Sequence, residues 1–259
     1  MSGAEARRAR RRGDLLPQPI AVSSLAKDSE IAGVPVRVFT PPGTRVATIA
    51  YLHGGGFVFG SARLQDKRLE KLAVACRATV VSVDYRLAPE FPYPAAPDDC
   101  EAVARELAAG GSLAIVGESA GANLAVVTML RLRERADVAQ VRAAALVSGV
   151  YDLALGAFAE TGAGPLTREE LEPVIEDYVG DALRSDPQLS PLNAELRDLP
   201  PLFLVVGSLD PLLQDSVGLA RRWQNAGSSA RLEVIEGAVH GVDASQHVQD
   251  FLRGQLGVS

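Results

Sequence analysis

Residues 113–121, with the sequence LAIVGESAG, join a short apolar run directly to a glycine-serine-glycine turn. The run Leu113–Val116 is typical of a buried strand, and the residues from about Ala120 to Arg133 are predicted to form a helix. A strand, a Gly-x-Ser-x-Gly turn and a helix in this order lift a serine hydroxyl above a sheet in a strained conformation. The two glycines lack a β carbon, so the strand and the helix can approach each other closely. Ser119 is therefore the candidate nucleophile, whereas the pentapeptide by itself would also fit an ordinary glycine-rich turn.

Strands and helical segments alternate along the rest of the chain, which predicts an α/β fold. The strands expected from apolar or alternating runs are Ile31–Phe39, Val46–Leu52, Thr79–Val83, Leu113–Val116, Ala143–Val147, Leu202–Val206 and Ala230–Ile235. The helices expected from apolar spacing are Arg68–Cys76, Cys100–Ala109, Ala120–Arg133, Val217–Asn225 and Ala244–Leu256. Such alternation is typical of a mainly parallel sheet with helices on both faces.

The domain organisation follows from two stretches that do not fit the alternation. Residues 1–30, which contain an arginine cluster at 7–12, are interpreted as an N-terminal arm or the remnant of a cap. Residues 31–259 are expected to form one domain. The acidic stretch 152–199, interrupted by Gly and Pro, is interpreted as an insertion in that domain, with the cap at about 152–185.

Composition excludes several classes of function. The net charge is −6, from 26 basic and 32 acidic residues, which argues against a phosphate backbone or other nucleic acid as the main partner. The chain has two cysteines and three histidines, too few for a disulfide framework or a histidine-rich metal site. No apolar run approaches the roughly 18 residues of a membrane helix. The arginine cluster is not followed by the apolar core of about 7–15 residues that a secretory signal needs, so a cytoplasmic protein with no membrane partner is expected.

The general base must be one of three histidines, because a serine hydroxyl is a weak nucleophile without one. His247 lies inside the predicted last helix, and His53 precedes a run of glycines. His240 lies in a loop after the predicted strand Ala230–Ile235. Loops at the carboxyl ends of parallel strands are where the active-site groups of open α/β sheets collect. His240 is therefore the predicted base.

A carboxylate must hold the imidazole in one tautomer. Asp210 follows the predicted strand Leu202–Val206, so it also lies at a carboxyl end. Asp215 and Asp152 are competitors, of which Asp215 is expected to cap or line the next helix. The predicted acid is Asp210, which gives the chain order serine, acid, histidine typical of α/β-hydrolases.

The run HGGGF at residues 53–57 is the second motif with a chemical meaning. Acyl transfer develops an anionic oxygen, which aimed backbone N–H groups stabilise. Consecutive glycines let the backbone present its N–H groups with no side chain in the way. The predicted oxyanion-hole donors are Gly54, Gly55 and Ala120, with Gly56 in reserve. His53 is expected to hold the loop by hydrogen bonds.

Together these motifs resemble the hormone-sensitive lipase family of α/β-hydrolases, in particular its bacterial carboxylesterases. The matching pieces, in the family's order, are His53–Phe57, Asp84–Glu90, Pro92–Asp99, Gly117–Ala122, Ser190–Leu192, Leu199–Pro201, Asp210–Leu212 and His240–Gly241. The resemblance implies an eight-stranded, mostly parallel sheet and hydrolysis of small acyl esters without a cofactor. It also supports Ser119, Asp210 and His240 as the catalytic triad. A homodimer is expected from the family likeness alone.

One departure from the family concerns the pocket. Family members usually carry a longer N-terminal region that forms cap helices, whereas about thirty residues precede the first strand here. We therefore expect a reduced cap and a relatively open pocket that takes short acyl chains without interfacial activation. The expected walls are Phe57, Phe59 and the 152–185 segment. An amidase or arylformamidase, or a hydrolytically inactive ligand-binding protein of the same fold, is the alternative function.

Overall fold

One mixed sheet organises the residues that the computed structural model describes, 22–164 and 166–258. Its strands are β1 Ala26–Ile31, β2 Val34–Phe39, β3 Ala47–Leu52, β4 Ala78–Val83, β5 Leu113–Glu118, β6 Val141–Val147, β7 Leu202–Gly207 and β8 Ala230–Ile235. Their order across the sheet is β1-β2-β4-β3-β5-β6-β7-β8. The pairs β1/β2 and β2/β4 are antiparallel, and all other neighbours are parallel. The prediction of an eight-stranded, mostly parallel sheet is confirmed.

Helices cover both faces of this sheet, as predicted. In the described ranges they are α1 Asp66–Cys76, α2 Ala95–Ala109, α3 Ala120–Glu134, α4 Arg168–Val179, α5 Leu213–Asn225 and α6 Ser245–Leu256. One apolar core joins the sheet to α2, α3 and α5 through residues such as Val103, Leu124 and Trp223. A second core, with Leu72 and Leu252, joins the opposite face to α1 and α6. The parallel strands are therefore buried on both sides, which explains their continuous apolar sequences.

The first strand was predicted wrongly as one element, Ile31–Phe39. The chain instead turns at Ala32 and Gly33, which both have positive φ angles, of 53° and 79°. Two such residues form the tight turn that matches the twist of a β-hairpin. The sheet therefore begins at Ala26, inside the segment predicted as the arm 1–30. The arginine cluster at 7–12 lies outside the described residues.

The segment between β6 and β7, here called the insertion, contains α4. Its interpretation as a cap at about 152–185 stays a prediction. Thr167 and Glu170 form a reciprocal capping box that fixes where α4 begins. The pattern Thr-x-x-Glu is visible in the sequence, so the start of α4 could have been predicted from it. The ring of Tyr178 near the end of α4 stacks on Phe57, with 3.9 Å between the ring centroids. This contact holds the insertion against the loop that follows β3.

Asp215, in the first turn of α5, ties the beginning of the insertion to the sheet. Its carboxylate accepts hydrogen bonds from the backbone N–H groups of Tyr151, at 2.6 Å, and Asp152, at 2.9 Å. The side chain is buried. Burial raises the pKa of this carboxyl to about 6, because the two backbone donors only partly offset the loss of water.

Two further features of the described residues concern their cysteines and their helices. Cys76 and Cys100 are both buried free thiols. Among the helices of the described ranges, none has the length and apolar character that crossing a bilayer requires.

We predict that Asp215→Asn changes how stability depends on pH. The folded-state pKa of Asp215 is raised from 3.8 to about 6, so the wild type loses stability as the pH rises through this window. An asparagine accepts the same two hydrogen bonds without ionising. The free energy of unfolding of the variant, relative to that of the wild type, should therefore increase by about 2 kcal/mol between pH 4 and pH 7.

Urea unfolding at a series of pH values measures this difference. Asp198→Asn, at an exposed aspartate paired with Arg197, is the matched control and should shift by less than about 0.5 kcal/mol over the same range. A difference between Asp215→Asn and the wild type that does not vary with pH would contradict the prediction.

Candidate active site

The turn between β5 and α3 holds Ser119 in the strained conformation that the motif predicts. Its φ is 50° and its ψ is −116°. A β carbon on Gly121 would lie 2.1 Å from the carbonyl oxygen of Leu52, and one on Gly117 would lie 2.4 Å from that of Gly121. Only glycine fits at either position, because such contacts are far inside van der Waals distance. The close packing of β3, β5 and α3 therefore depends on both glycines.

The structure brings the three predicted triad residues together. The Oγ of Ser119 lies 3.1 Å from the Nε2 of His240. The Nδ1 of His240 lies 3.1 Å from each carboxylate oxygen of Asp210. Asp210 follows β7 and His240 follows β8, so both loops leave the same edge of the sheet as the turn at Ser119. This is the hydrogen-bonded chain that nucleophilic catalysis by serine requires.

The Asp210 carboxylate is fully buried and held in place. The backbone N–H of Leu212 donates to its Oδ1 at 2.9 Å. Burial acts to raise the pKa of Asp210, but the hydrogen bond and the charge of His240 outweigh it and leave the pKa below its usual value. The carboxyl is therefore ionised at neutral pH, so it can orient an imidazole and stabilise its protonated form.

The two competing carboxylates have other partners. Asp215 accepts from the backbone of Tyr151 and Asp152, as described above. Asp152 accepts from the backbone N–H groups of Ala154 and Gly156, at 3.0 Å each, in the first turn of the insertion. Both carboxylates therefore fix the conformation of the backbone that follows β6.

The loop after β3 lies beside Ser119. A β carbon on Gly54 would be 3.4 Å from that of Ser119, and Gly55 has a φ of 128° at which a β carbon would collide with the carbonyl of Phe59. Within the described residues no acceptor contacts the N–H groups of Gly54 and Gly55. The N–H of Ala120 is at the first position of α3, where a helix offers no intrahelical acceptor. Within residues 22–164 and 166–258, all three predicted donors thus have N–H groups without an acceptor.

His53 supports this loop, as predicted. It is buried, its Nδ1 lies 2.9 Å from the carbonyl oxygen of Gly54, and its ring stacks on Tyr85 at 4.2 Å. Burial lowers the pKa of His53, so the ring is neutral at physiological pH. The third histidine, His247, pairs with Glu233 on the surface at 2.6 Å.

A cavity of about 1030 Å³ opens over Ser119 and His240. Its apolar walls are formed by Phe59, Leu166, Leu171, Pro173, Val174 and Val242. The prediction that Phe59 and the 152–185 segment form walls agrees with this lining. The same prediction for Phe57 is wrong, because its ring is fully buried and packs on Tyr178 in the core between the sheet and the insertion.

The sequence interpretation missed a polar group of residues on the α1 side of this cavity. Arg68 and Glu118 face the cavity and form an ion pair, and Gln65 contacts both. The only signal in the sequence was an acidic residue inside the Gly-x-Ser-x-Gly motif. For metals, no cluster of three or more histidine, cysteine or acidic side chains able to bind an ion occurs in residues 22–164 and 166–258.

The chain is similar to known esterases over most of its length. A family described as having the alpha/beta hydrolase fold matches residues 49–244. Esterase LipI of Mycobacterium tuberculosis is 34% identical, over 92% of this chain and 81% of the relative. Carboxylesterase NlhH of the same species is 35% identical, over 92% and 82%. An acetyl esterase of Salmonella typhi is 32% identical, over 80% of this chain and 68% of the relative.

Solved structures give the same result. A hormone-sensitive lipase from a metagenome library is 29% identical, with a TM-score of 0.88 over 99% of this chain and 92% of the other. An esterase from the bacterial hormone-sensitive lipase family is also 29% identical, with a TM-score of 0.86 over 99% of both chains. With the paired serine and histidine described above, these matches identify the chain as a member of the hormone-sensitive lipase family of α/β-hydrolases, a serine hydrolase of carboxylic esters.

Proposed function

We propose that the chain hydrolyses esters of short acyl chains through an acyl-enzyme formed on Ser119. The observation that carries the proposal is the continuous contact from the Ser119 hydroxyl through His240 to the buried carboxylate of Asp210. A small acyl ester is the substrate, and its carbonyl carbon is the atom attacked.

In the first half of the reaction, the Oγ of Ser119 attacks the carbonyl carbon while the Nε2 of His240 takes the hydroxyl proton. Asp210 accepts a hydrogen bond from the Nδ1–H of the imidazole, which keeps Nε2 unprotonated and facing the serine. The positive charge that develops on His240 is stabilised by the Asp210 carboxylate. His240 then protonates the leaving alcohol, so that the ester bond breaks and the acyl group stays on Ser119.

The negative charge of the tetrahedral intermediate needs donors that are already in place. The N–H groups of Gly54, Gly55 and Ala120 form this oxyanion hole, with Gly56 as the reserve donor. Gly54 and Gly55 have no side chain that could block the oxygen, so their N–H groups can approach it closely. Because the loop is held by His53 and Tyr85, little reorganisation is required when the charge appears.

The second half repeats the chemistry with water. His240 takes a proton from a water molecule, which attacks the acyl carbon on Ser119. The same donors hold the second oxyanion. Its collapse releases the carboxylic acid and returns the proton to Ser119.

Two observations support short acyl chains. A relative of the chain is named an acetyl esterase. The insertion also packs on the loop at residues 53–57, here called the oxyanion loop. A β carbon on Gly56 of this loop would be only 3.1 Å from the Cγ2 of Val174. Helix α4 therefore borders the site at which the acyl carbonyl is proposed to bind.

We predict that Ser119→Ala abolishes hydrolysis of p-nitrophenyl acetate, because it removes the hydroxyl that contacts the Nε2 of His240. Initial rates measured with folded protein test this. Ser228→Ala, at a serine in the turn before β8 on the opposite edge of the sheet, is the control and should keep wild-type rates. Wild-type activity in Ser119→Ala would discard the assignment.

We predict that Asp210→Asn lowers kcat by a factor on the order of 10⁴, the effect of the same change in a serine protease, because the amide favours the wrong imidazole tautomer. Steady-state kinetics on the same ester measure it. Asp152→Asn is the matched control and should stay within a few-fold of the wild type. If Asp152→Asn or Asp215→Asn is the more damaging change, the acid is misassigned.

We predict that kcat/KM is highest for acetyl and butyryl esters and falls steadily towards lauryl esters. A series of p-nitrophenyl esters that differ only in acyl length measures this. A profile that rises with chain length, or peaks on emulsified long-chain triglyceride, would contradict a short acyl site.

A further inference from the structure

Glu118, the residue before the proposed nucleophile, is held by two side chains of one neighbouring segment. Its carboxylate forms an ion pair with the guanidinium of Arg68 on α1. The Nε2 of Gln65, immediately before α1, donates to its other oxygen at 3.0 Å. The side chains of Glu118 and Arg68 are only 14% and 28% exposed. An ion pair this sheltered is screened less by water than a surface pair.

Gln65 extends the same group of contacts to β3. Its Oε1 accepts hydrogen bonds from the hydroxyl of Tyr51 at 2.8 Å and from the Nη1 of Arg68 at 3.0 Å. Tyr51 is buried in β3, two residues before His53 and the oxyanion loop. The contacts therefore connect the strand that carries the oxyanion loop with the turn that carries Ser119.

The charge of Arg68 also acts on the loop that carries His240. Asp243 lies three residues after His240 and lines the same cavity as Arg68. Hydrogen bonds from Ser245, followed by the charges of Arg68 and Lys71, lower the pKa of Asp243. One arginine thus attracts a carboxylate next to Ser119 and a second carboxylate in the loop that follows His240.

Helix α1 provides a fixed base for these contacts. Asp66, its first residue, accepts bonds from the Nε of Arg37 at 2.7 Å and from its Nη2 at 2.6 Å, and both side chains are buried. Asp66 also accepts from the backbone N–H of Ser23 at 2.8 Å. This buried ion pair links α1 to β2, so Gln65 and Arg68 extend from a helix that is fixed to the sheet.

We infer that Arg68 and Glu118, with Gln65 between them, are positioning residues for ester hydrolysis. They hold the strained turn at Ser119 against α1 and keep the Oγ in line with His240. Arg68 also neutralises the Glu118 carboxylate. Without this pairing, the negative charge of Glu118 would disfavour the negative charge that develops on the substrate oxygen beside Gly54 and Gly55. The inference rests on the proposed role of Ser119, and it adds a support that acts through the turn and does not touch the substrate.

Steady-state kinetics of Glu118→Gln and Arg68→Gln test this inference. Glu118→Gln breaks the ion pair at constant size, and Arg68→Gln breaks it with a shorter side chain. For both variants kcat should fall about 10- to 100-fold while KM stays within about threefold, since small misplacements of reacting groups reduce rate more than binding. Arg68→Lys restores the charge and should recover most of the loss. The exposed pair Arg197–Glu195 is the matched control, and Glu195→Gln should keep wild-type kcat.

The outcomes separate this inference from the proposed function. Wild-type kcat in folded Glu118→Gln and Arg68→Gln, with Ser119→Ala inactive in the same assay, overturns the inference and leaves the proposed function intact. A raised KM with unchanged kcat also overturns it, because it would mean a role in binding. Activity that persists in Ser119→Ala overturns both. If a single variant does not fold, the double variant Arg68→Met/Glu118→Leu replaces it, because it removes both charges of the pair. The double variant should show the same loss of kcat. Wild-type kcat in the double variant overturns the inference.

Discussion

The contact between α3 and β3 at Gly121 is the constraint on which the site depends. A single added methyl group there would overlap the carbonyl oxygen of Leu52. Because the helix can approach so closely, the chain turns sharply at Ser119 and exposes the hydroxyl at the carboxyl edge of the sheet. Leu52 is also the last residue before the oxyanion loop, so this one contact sets the distance between nucleophile and oxyanion donors.

The parallel arrangement of the strands brings Asp210 and His240 to Ser119. Strands β3, β5, β7 and β8 run in the same direction, and their carboxyl ends meet at one edge. Residues far apart in the chain, at 119, 210 and 240, therefore meet without long loops. Helix α4 covers this edge from one side through Val174, and α1 borders it from another through Arg68. The catalytic groups lie between a mostly apolar wall and a charged one.

The sequence predicts the parts of the site that depend on local chemistry. The Gly-x-Ser-x-Gly turn, the glycine run at 54–56 and the polar residues after strands could be predicted because each needs a particular residue type at a particular spacing. Contacts between distant elements could not be predicted. The stacking of Phe57 on Tyr178, which removes Phe57 from the pocket wall, and the pairing of Arg68 with Glu118 depend on how α4 and α1 pack. A homodimer, a cytoplasmic location and the absence of nucleic-acid binding stay predictions.

Covalent labelling with a fluorophosphonate probes the assignment of Ser119 as the nucleophile, because the reagent reacts with a serine that is activated by a base and its adduct mimics the tetrahedral intermediate. We predict one equivalent of label per chain, located by peptide mass spectrometry on Ser119, with loss of ester hydrolysis in proportion to labelling. Full hydrolytic activity in protein labelled at Ser119, or stoichiometric labelling of a different serine that abolishes activity, would contradict it.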